Sequence, residues 1–307
     1  MDRRTFVKAG LTASAALALG KYARAFSHPS LRSASPSQTA FDLVAVKGGE
    51  PDLMFDRGIE ALGGMGGFVK KGQKVAIKPN IGWDVSPERG GNTHPRLVGR
   101  IIEHCFNAGA ASVYVFDHTC DRWDRCYETS GIEAAAKKAG AKVVSGDSES
   151  YYHEVAVPHG KSLKNAKEHE LLLEADVFIN VPVLKVHDGA RITASMKNLM
   201  GAVWDRGIWH RTDLHQCIAD FATYRKPALN VLDAYYVMKR NGPRGVSVDD
   251  VQLTKTQLLS CDMVAIDTAG TKILGLDPKD VRHIGLAAEL NVGRMDLDTL
   301  NIKRISL

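Results

Sequence analysis

Short apolar runs along the chain alternate with stretches of helical period, and the alternation predicts a repeating strand–helix order. Strands are expected at 42–47, 74–78, 112–116, 142–145, 177–181, 229–232 and 302–305, and helices at 52–62, 95–108, 132–139, 262–274 and 278–290. Gly140 and Gly275, each just past a helical run, fit helix stops. Residues 151–173 carry no clear period and read as a hairpin or an insertion. Strands alternating with helices of this length argue for right-handed βαβ units. The expected fold class is therefore α/β: a mostly parallel twisted sheet with helices on both faces, in a single domain over residues 41–307.

The first 25 residues follow a different pattern. Arg3-Arg4-Thr5-Phe6-Val7-Lys8 is a twin-arginine sequence, residues 9–20 are a short apolar run, and Ala23-Arg24-Ala25 is an A-x-A cleavage site. The apolar run has 12 residues, where a membrane span needs about 20. The expectation is a signal peptide over 1–25 and a Ser/Pro-rich linker over 26–40. The chain would then be periplasmic or extracellular, exported folded by the twin-arginine machinery, with no stable membrane span after cleavage.

Charge changes meaning once this segment is set aside. The whole chain has 40 Lys+Arg against 35 Asp+Glu, and residues 1–25 hold five of the bases and one acid, which leaves 35 against 34. So balanced a remainder gives no support for a nucleic-acid partner.

In an open parallel sheet, ligands bind outside the carboxyl ends of the strands. Four such ends carry ionisable residues here. The strand at 74–78 ends in Lys78-Pro79-Asn80 and leads to Thr93-His94-Pro95; the strand at 112–116 is followed by Asp117-His118-Thr119-Cys120. The strand at 177–181 leads to Lys185, His187, Lys197 and Asn198, and the strand at 229–232 to Asp233. Lys78, Asn80, Lys197 and Asn198 are candidates to bind an anionic substrate. His94, His118, His187 and Lys185 are candidates for catalysis, because an imidazole titrates near neutrality. Asp117, Asp233 and Asp267 would orient those groups or bind a divalent metal. Each also has a plainer reading: Lys78 as a solvated lysine, His94 as a cap on the helix that begins at Pro95, and Asp117 and Asp233 as caps of helices or turns.

Other motifs are absent or misplaced. Gly63-Gly64-Met65-Gly66-Gly67 follows a helix and precedes a strand, the reverse of a dinucleotide fingerprint, and the sequence has no P-loop, H-E-x-x-H or G-x-S-x-G. His210 and His215 lie in a segment that reads as a surface loop or lid. The five cysteines contain no C-x-x-C, so neither an iron–sulfur cluster nor a c-type haem is expected. Cys120 and Cys126 could form a disulfide outside the cytoplasm.

The order Lys78-Pro79-Asn80, Thr93-His94-Pro95, Asp117, Lys185, Ser195-Met196-Lys197-Asn198-Leu199-Met200-Gly201, Leu232-Asp233-Ala234, Gly242-Pro243 and Asp262-Met263-Val264-Ala265-Ile266-Asp267 resembles domain-of-unknown-function family 362. The resemblance runs from about Leu43 to the C-terminus and implies one α/β domain while fixing no reaction. Several members look to carry an appended ferredoxin-like domain, whose cysteines this chain lacks. A looser likeness in layout is to the nickel-dependent lactate racemases.

The expected function is an enzyme acting on a small carboxylate or phosphate by acid/base or metal-assisted chemistry, racemase- or isomerase-like or associated with an oxidoreductase. The alternative is a non-catalytic accessory protein that binds a ligand or metal for an exported redox system.

Overall fold

The computed structural model describes residues 39–307; the expected export signal and nearly all of the expected linker lie outside the described residues. Twelve strands are formed: β1 Leu43–Lys47, β2 Lys74–Pro79, β3 Ser112–Val115, β4 Lys142–Val143, β5 Tyr152–Ala156, β6 Asn165–His169, β7 Val177–Val181, β8 Val183–His187, β9 Arg191–Thr193, β10 Leu229–Met238, β11 Val251–Ser260 and β12 Ile302–Ser306. All but β5 and β6 join one sheet, whose main path runs β12-β1-β11-β10-β7-β2-β3-β4, with β8 added beside β10 and β9 beside β8. Pairings are parallel except those of β11 with β1 and β10, and of β8 with β9. The expected mostly parallel α/β class is what the chain adopts.

Alternation along each strand sends side chains to opposite faces, and two cores result. Val75 and Ile77 of β2 pack with Leu97, Val98 and Ile101 of the helix Pro95–Asn107, whereas Ala76 faces the core that holds Phe178, Met196 and Ile266. That helix forms because its apolar residues recur every three or four positions. It starts at Pro95, and the His94 side chain accepts the Arg96 amide at 3.2 Å. The helix Met263–Leu274 is set on the other core, with the Asp262 carboxylate accepting from Val264 and Ala265, both at 2.9 Å, and Gly275 in the left-handed region at φ +80° ending it.

The structure extends the sequence reading in four places. Residues 151–173 contain the antiparallel hairpin β5–β6. Pro182, expected to end the buried strand, only interrupts it: lacking an N–H, it breaks the ladder, and the chain resumes as β8 along the same neighbour, β10. β11 was not anticipated, since its first half, Val-Gln-Leu-Thr-Lys-Thr, is partly exposed and mostly polar. The segment read as a loop or lid is the short helix Gly207–Arg211 followed by the buried helix Leu214–Tyr224.

Candidate active site

The carboxyl ends of β2, β3 and β7–β8 open on one cleft of about 270 Å³. It brings together Lys78, Asn80, Asp117, His118, Lys185, His187, Lys197 and Asn198, eight of the residues singled out from the sequence. His94, Asp233 and Asp267 are not among its lining residues.

Lys78, fully buried at the end of β2, forms an ion pair with Asp117 at 2.8 Å. Burial pulls its pKa below the ordinary lysine value, and Asp117 opposes that pull. The other Asp117 oxygen accepts the Ile81 amide at 2.7 Å, which ties the loop after β2 to the loop after β3. Gly201 passes so close to this pair that a Cβ there would fall 1.9 Å from Asp117 Oδ1 and 2.7 Å from Lys78 Nζ.

Lys185 on β8 is also buried but meets no carboxylate. Its Nζ donates to the Gly91 carbonyl at 2.6 Å and to Asn80 Oδ1 at 3.2 Å. Burial pushes its pKa down to about 7, with the cationic Lys197 and Lys78 acting in the same direction. Lys197 is the third residue of the segment that starts at Ser195, and among the described residues its ammonium makes neither a hydrogen bond nor an ion pair. By exposed area Lys197 is only half-buried. The crowded cleft still lowers its pKa to about 8, first by desolvation.

Asn80 and Asn198, expected to orient substrate, are spent on the scaffold. Asn80 Nδ2 donates to Asn198 Oδ1 at 2.8 Å, and Asn198 Nδ2 donates to Asn180 Oδ1 at 2.9 Å and to the Lys78 carbonyl at 3.3 Å. The chain continues through Asn180 to Asn230 at 3.0 Å. This buried amide network is satisfied internally, so it fixes the floor of the cleft instead of reaching into it.

The histidines divide. His118 stacks on Trp204 with ring centroids 4.9 Å apart, and its Nδ1 lies 3.0 Å from the Val203 carbonyl. A carbonyl only accepts, so Nδ1 carries the proton and Nε2 is left as the basic nitrogen. Burial, then Arg206, lowers its pKa and keeps the ring neutral at neutral pH. His187 accepts the Ala190 amide through Nδ1 at 3.2 Å, which leaves Nε2–H as a donor, and burial beside Lys197 and Lys185 holds its pKa near about 2. It is an unsuitable base. His94 is a helix cap, set between Tyr235 and Tyr236, with its own amide bonded to Asp233.

The three carboxylates assigned to a metal do not converge. Asp117 is held by Lys78 and Ile81; Asp233 accepts the amides of His94 and Tyr235 at 2.7 and 2.9 Å; Asp267 accepts those of Ser195 and Met196 at 2.6 and 3.0 Å. Each is bound to donors of the chain, and among the described residues no cluster of three or more His, Cys, Asp or Glu is arranged around a common point. The donor set does not fit a divalent cation, and the cleft's lysines oppose one.

Sequence reasoning missed Arg206 and Thr193, and held Gly201 only as part of the family motif. Arg206 donates to the carbonyls of His118, at 2.6 Å, and Thr119, and reaches Cys120 Sγ at 3.6 Å. Nothing at the level of spacing marks an arginine on a loop 88 residues from its carbonyl partner. Cys120 and Cys126 are free thiols: Cys120 lines the cleft, while Cys126 is buried and aimed at the Gly82 carbonyl at 3.7 Å.

Among the described residues no helix is long and apolar enough to cross a membrane. A curated relative, the thylakoid-associated protein sll1697 of Synechocystis sp., is 29% identical over 238 residues, 73% of this chain and 70% of that protein. The lactate racemase apoprotein from Thermoanaerobacterium thermosaccharolyticum aligns with a TM-score of 0.46 at 13% identity, and a protein of known structure from Thermotoga maritima with 0.43 at 9%. These alignments cover 75% and 78% of this chain but only 56% and 60% of the two solved chains, and both are distant likenesses of backbone course alone. The family model described as "Domain of unknown function (DUF362)" matches residues 75–272, from the strand that carries Lys78 through the helix that carries Asp267, and the chain belongs to that family.

Proposed function

We propose that this protein is an enzyme that binds a small carboxylate or phosphate in the strand-end cleft and acts on it by proton transfer. The observation that carries this reading is Lys197, an ammonium without a counterion among the described residues, in a cleft whose one described lining carboxylate, Asp117, is already committed to Lys78. Arg206 adds positive charge around it. A site so unbalanced attracts an anion, and burial strengthens each charge-assisted bond it makes. His118 Nε2 supplies a base that is uncharged at neutral pH, and Lys185 supplies an amine poised between its two protonation states.

Calorimetric titration with a panel of small carboxylates and phosphates tests the binding. A ligand should be found whose affinity falls about 10- to 100-fold in Lys197→Met, the range expected for one charge-assisted bond. Exchange of substrate hydrogens with deuterated solvent tests the chemistry. His118→Gln should retain binding and lose exchange. Binding without exchange of any ligand would leave a carrier and remove the enzyme.

We further propose export through the twin-arginine route, on the Arg3-Arg4 pattern and the Ala23-Arg24-Ala25 site. N-terminal sequencing of the protein from its native envelope should begin at Phe26.

A further inference from the structure

We infer that Lys185 is a covalent nucleophile, and that the substrate is a small oxo acid whose anionic group is held by Lys197 and whose carbonyl carbon is attacked by the Lys185 amine. This inference rests on the reading of the cleft as an anion site and adds the substrate's second functional group.

The argument begins with two buried lysines in one cleft. Lys78 is matched by Asp117, the usual way to keep a buried ammonium charged. Lys185, 1% exposed, is matched only by neutral oxygens, the Gly91 carbonyl and Asn80 Oδ1. The identity of that Asn80 atom is fixed by the amide network, because Asn80 Nδ2 must donate to Asn198 Oδ1. An uncharged amine has two N–H groups and one lone pair, and Lys185 has two acceptors. Both hydrogens are therefore taken, and the lone pair is left in a remaining direction of the nitrogen. Desolvation beside a second cation is a known way to activate a lysine toward carbonyls, and Lys197 supplies that cation.

Thr193 is the independent observation. It sits directly across from Lys185 in the β8–β9 pair, lines the cleft, is 3% exposed, and makes no hydrogen bond through its hydroxyl among the described residues. That hydroxyl opens on the cleft and is not sealed within the core, so a ligand in the cleft can reach it. Beside Lys185 it is placed to donate to the oxygen of a carbonyl under attack.

The step balances without an oxidant or reductant. The nitrogen lone pair forms the C–N bond as the C=O π pair moves to oxygen; that oxygen takes a proton, the nitrogen gives one to His118 Nε2, and the carbinolamine then loses water as a second proton reaches its hydroxyl. The product is a protonated imine plus water, formed from the carbonyl compound, the neutral amine and one proton.

Full-length protein incubated with pyruvate or acetoacetate and sodium cyanoborohydride tests the inference, since reduction fixes any imine as a stable secondary amine that peptide mass spectrometry locates. The adduct should lie on Lys185 at no less than 10-fold over any other lysine, and should be lost in Lys185→Arg and in Lys197→Met. Mapping on the wild-type chain identifies the site even if a variant folds poorly. Calorimetry with pyruvate and lactate runs alongside. If both anions bind and the adduct is missing, or is scattered over exposed lysines, the nucleophile is overturned while the anion site stands. If neither oxo acid nor lactate binds, and no adduct forms at Lys185, both readings fall.

Discussion

Lys78 and Lys197 show how differently one residue type behaves in a single cleft. Lys78 is bonded to a buried carboxylate, so removing its charge strands Asp117. Lys78→Met should destabilise the fold by about 3–5 kcal/mol, as measured by urea midpoint, and Lys78→Met combined with Asp117→Leu should recover part of that loss. Gly201→Ala attacks the same pair by sterics, because its Cβ would fall 1.9 Å from Asp117 Oδ1. It should cost about as much as breaking the pair outright. Lys197 has no partner to strand and several cations around it, namely Lys78, Lys185 and Arg206. Lys197→Met should leave the fold as stable or raise its melting temperature while lowering anion affinity about 10- to 100-fold. A lysine whose loss weakened both would be structural, and the proposed anion site would lose its main support.

The element that presents Lys197 cannot stand by itself. Ser195–Asn198 is a single turn followed by the 3-10 segment Leu199–Ala202, and so short a helix has no stability of its own. Its two leading amides are held by Asp267, on a helix 72 residues further along the chain. Burial raises the Asp267 pKa to about 7 against the pull of those two amides. Asp267→Ala should therefore cost about 2–4 kcal/mol by leaving two buried N–H groups unpaired, and Asp267→Asn less, since an amide oxygen still accepts. Both should weaken anion binding with Lys197 itself intact, which separates positioning from charge. The same element shows what the sequence could and could not reveal. Residues at strand ends were legible because strand, polar loop and helix succeed one another locally, and eight of them meet in one cleft. Asp267 looked like a metal ligand because a carboxylate in a sequence shows its chemistry and not its partner. Asp233 shares that history, accepting the amides of His94 and of Tyr235 on its own strand, and His94, a candidate for catalysis or for capping, is the cap that accepts the Arg96 amide. β11 escaped because a strand flanked on both sides by others needs no apolar alternation along its exposed half.

At the scale of the whole molecule, burying so many basic groups without counterions fixes how stability varies with pH. His169, His187 and His283 are held neutral by burial, with pKa values near about 4, 2 and 3 against an ordinary 6.5. Between those values and 6.5 the unfolded chain binds more protons than the folded one, so stability falls as pH drops through that window. Asp267 acts in the opposite sense, because its pKa is raised from 3.8 to about 7 and the folded chain is the one that holds the proton between them. Burial also raises Glu168 and Asp233 and lowers His94, His118, His210 and His215, so the lowered histidines outnumber the raised carboxyls, and each uncompensated proton is worth about 1.4 kcal/mol per pH unit. Above neutrality Lys185 and Lys197 take over: with pKa values of about 7 and 8 against 10.5, both release protons earlier in the folded state, and stability continues to rise until the cysteines whose pKa burial raises above 9.0 begin to oppose them. Urea midpoints should increase in the order pH 5, pH 7, pH 9. Lys185→Met should flatten the rise between 7 and 9 and leave the acid limb unchanged, whereas His283→Gln should flatten only the acid limb. Saturation with a bound anion should also reduce the alkaline rise, because an anion on Lys197 keeps that ammonium protonated in the folded state. A midpoint that peaked at pH 5, or an alkaline limb indifferent to Lys185→Met, would mean that these lysines are charged and paired in the folded protein, and the cleft would then carry no free amine for chemistry.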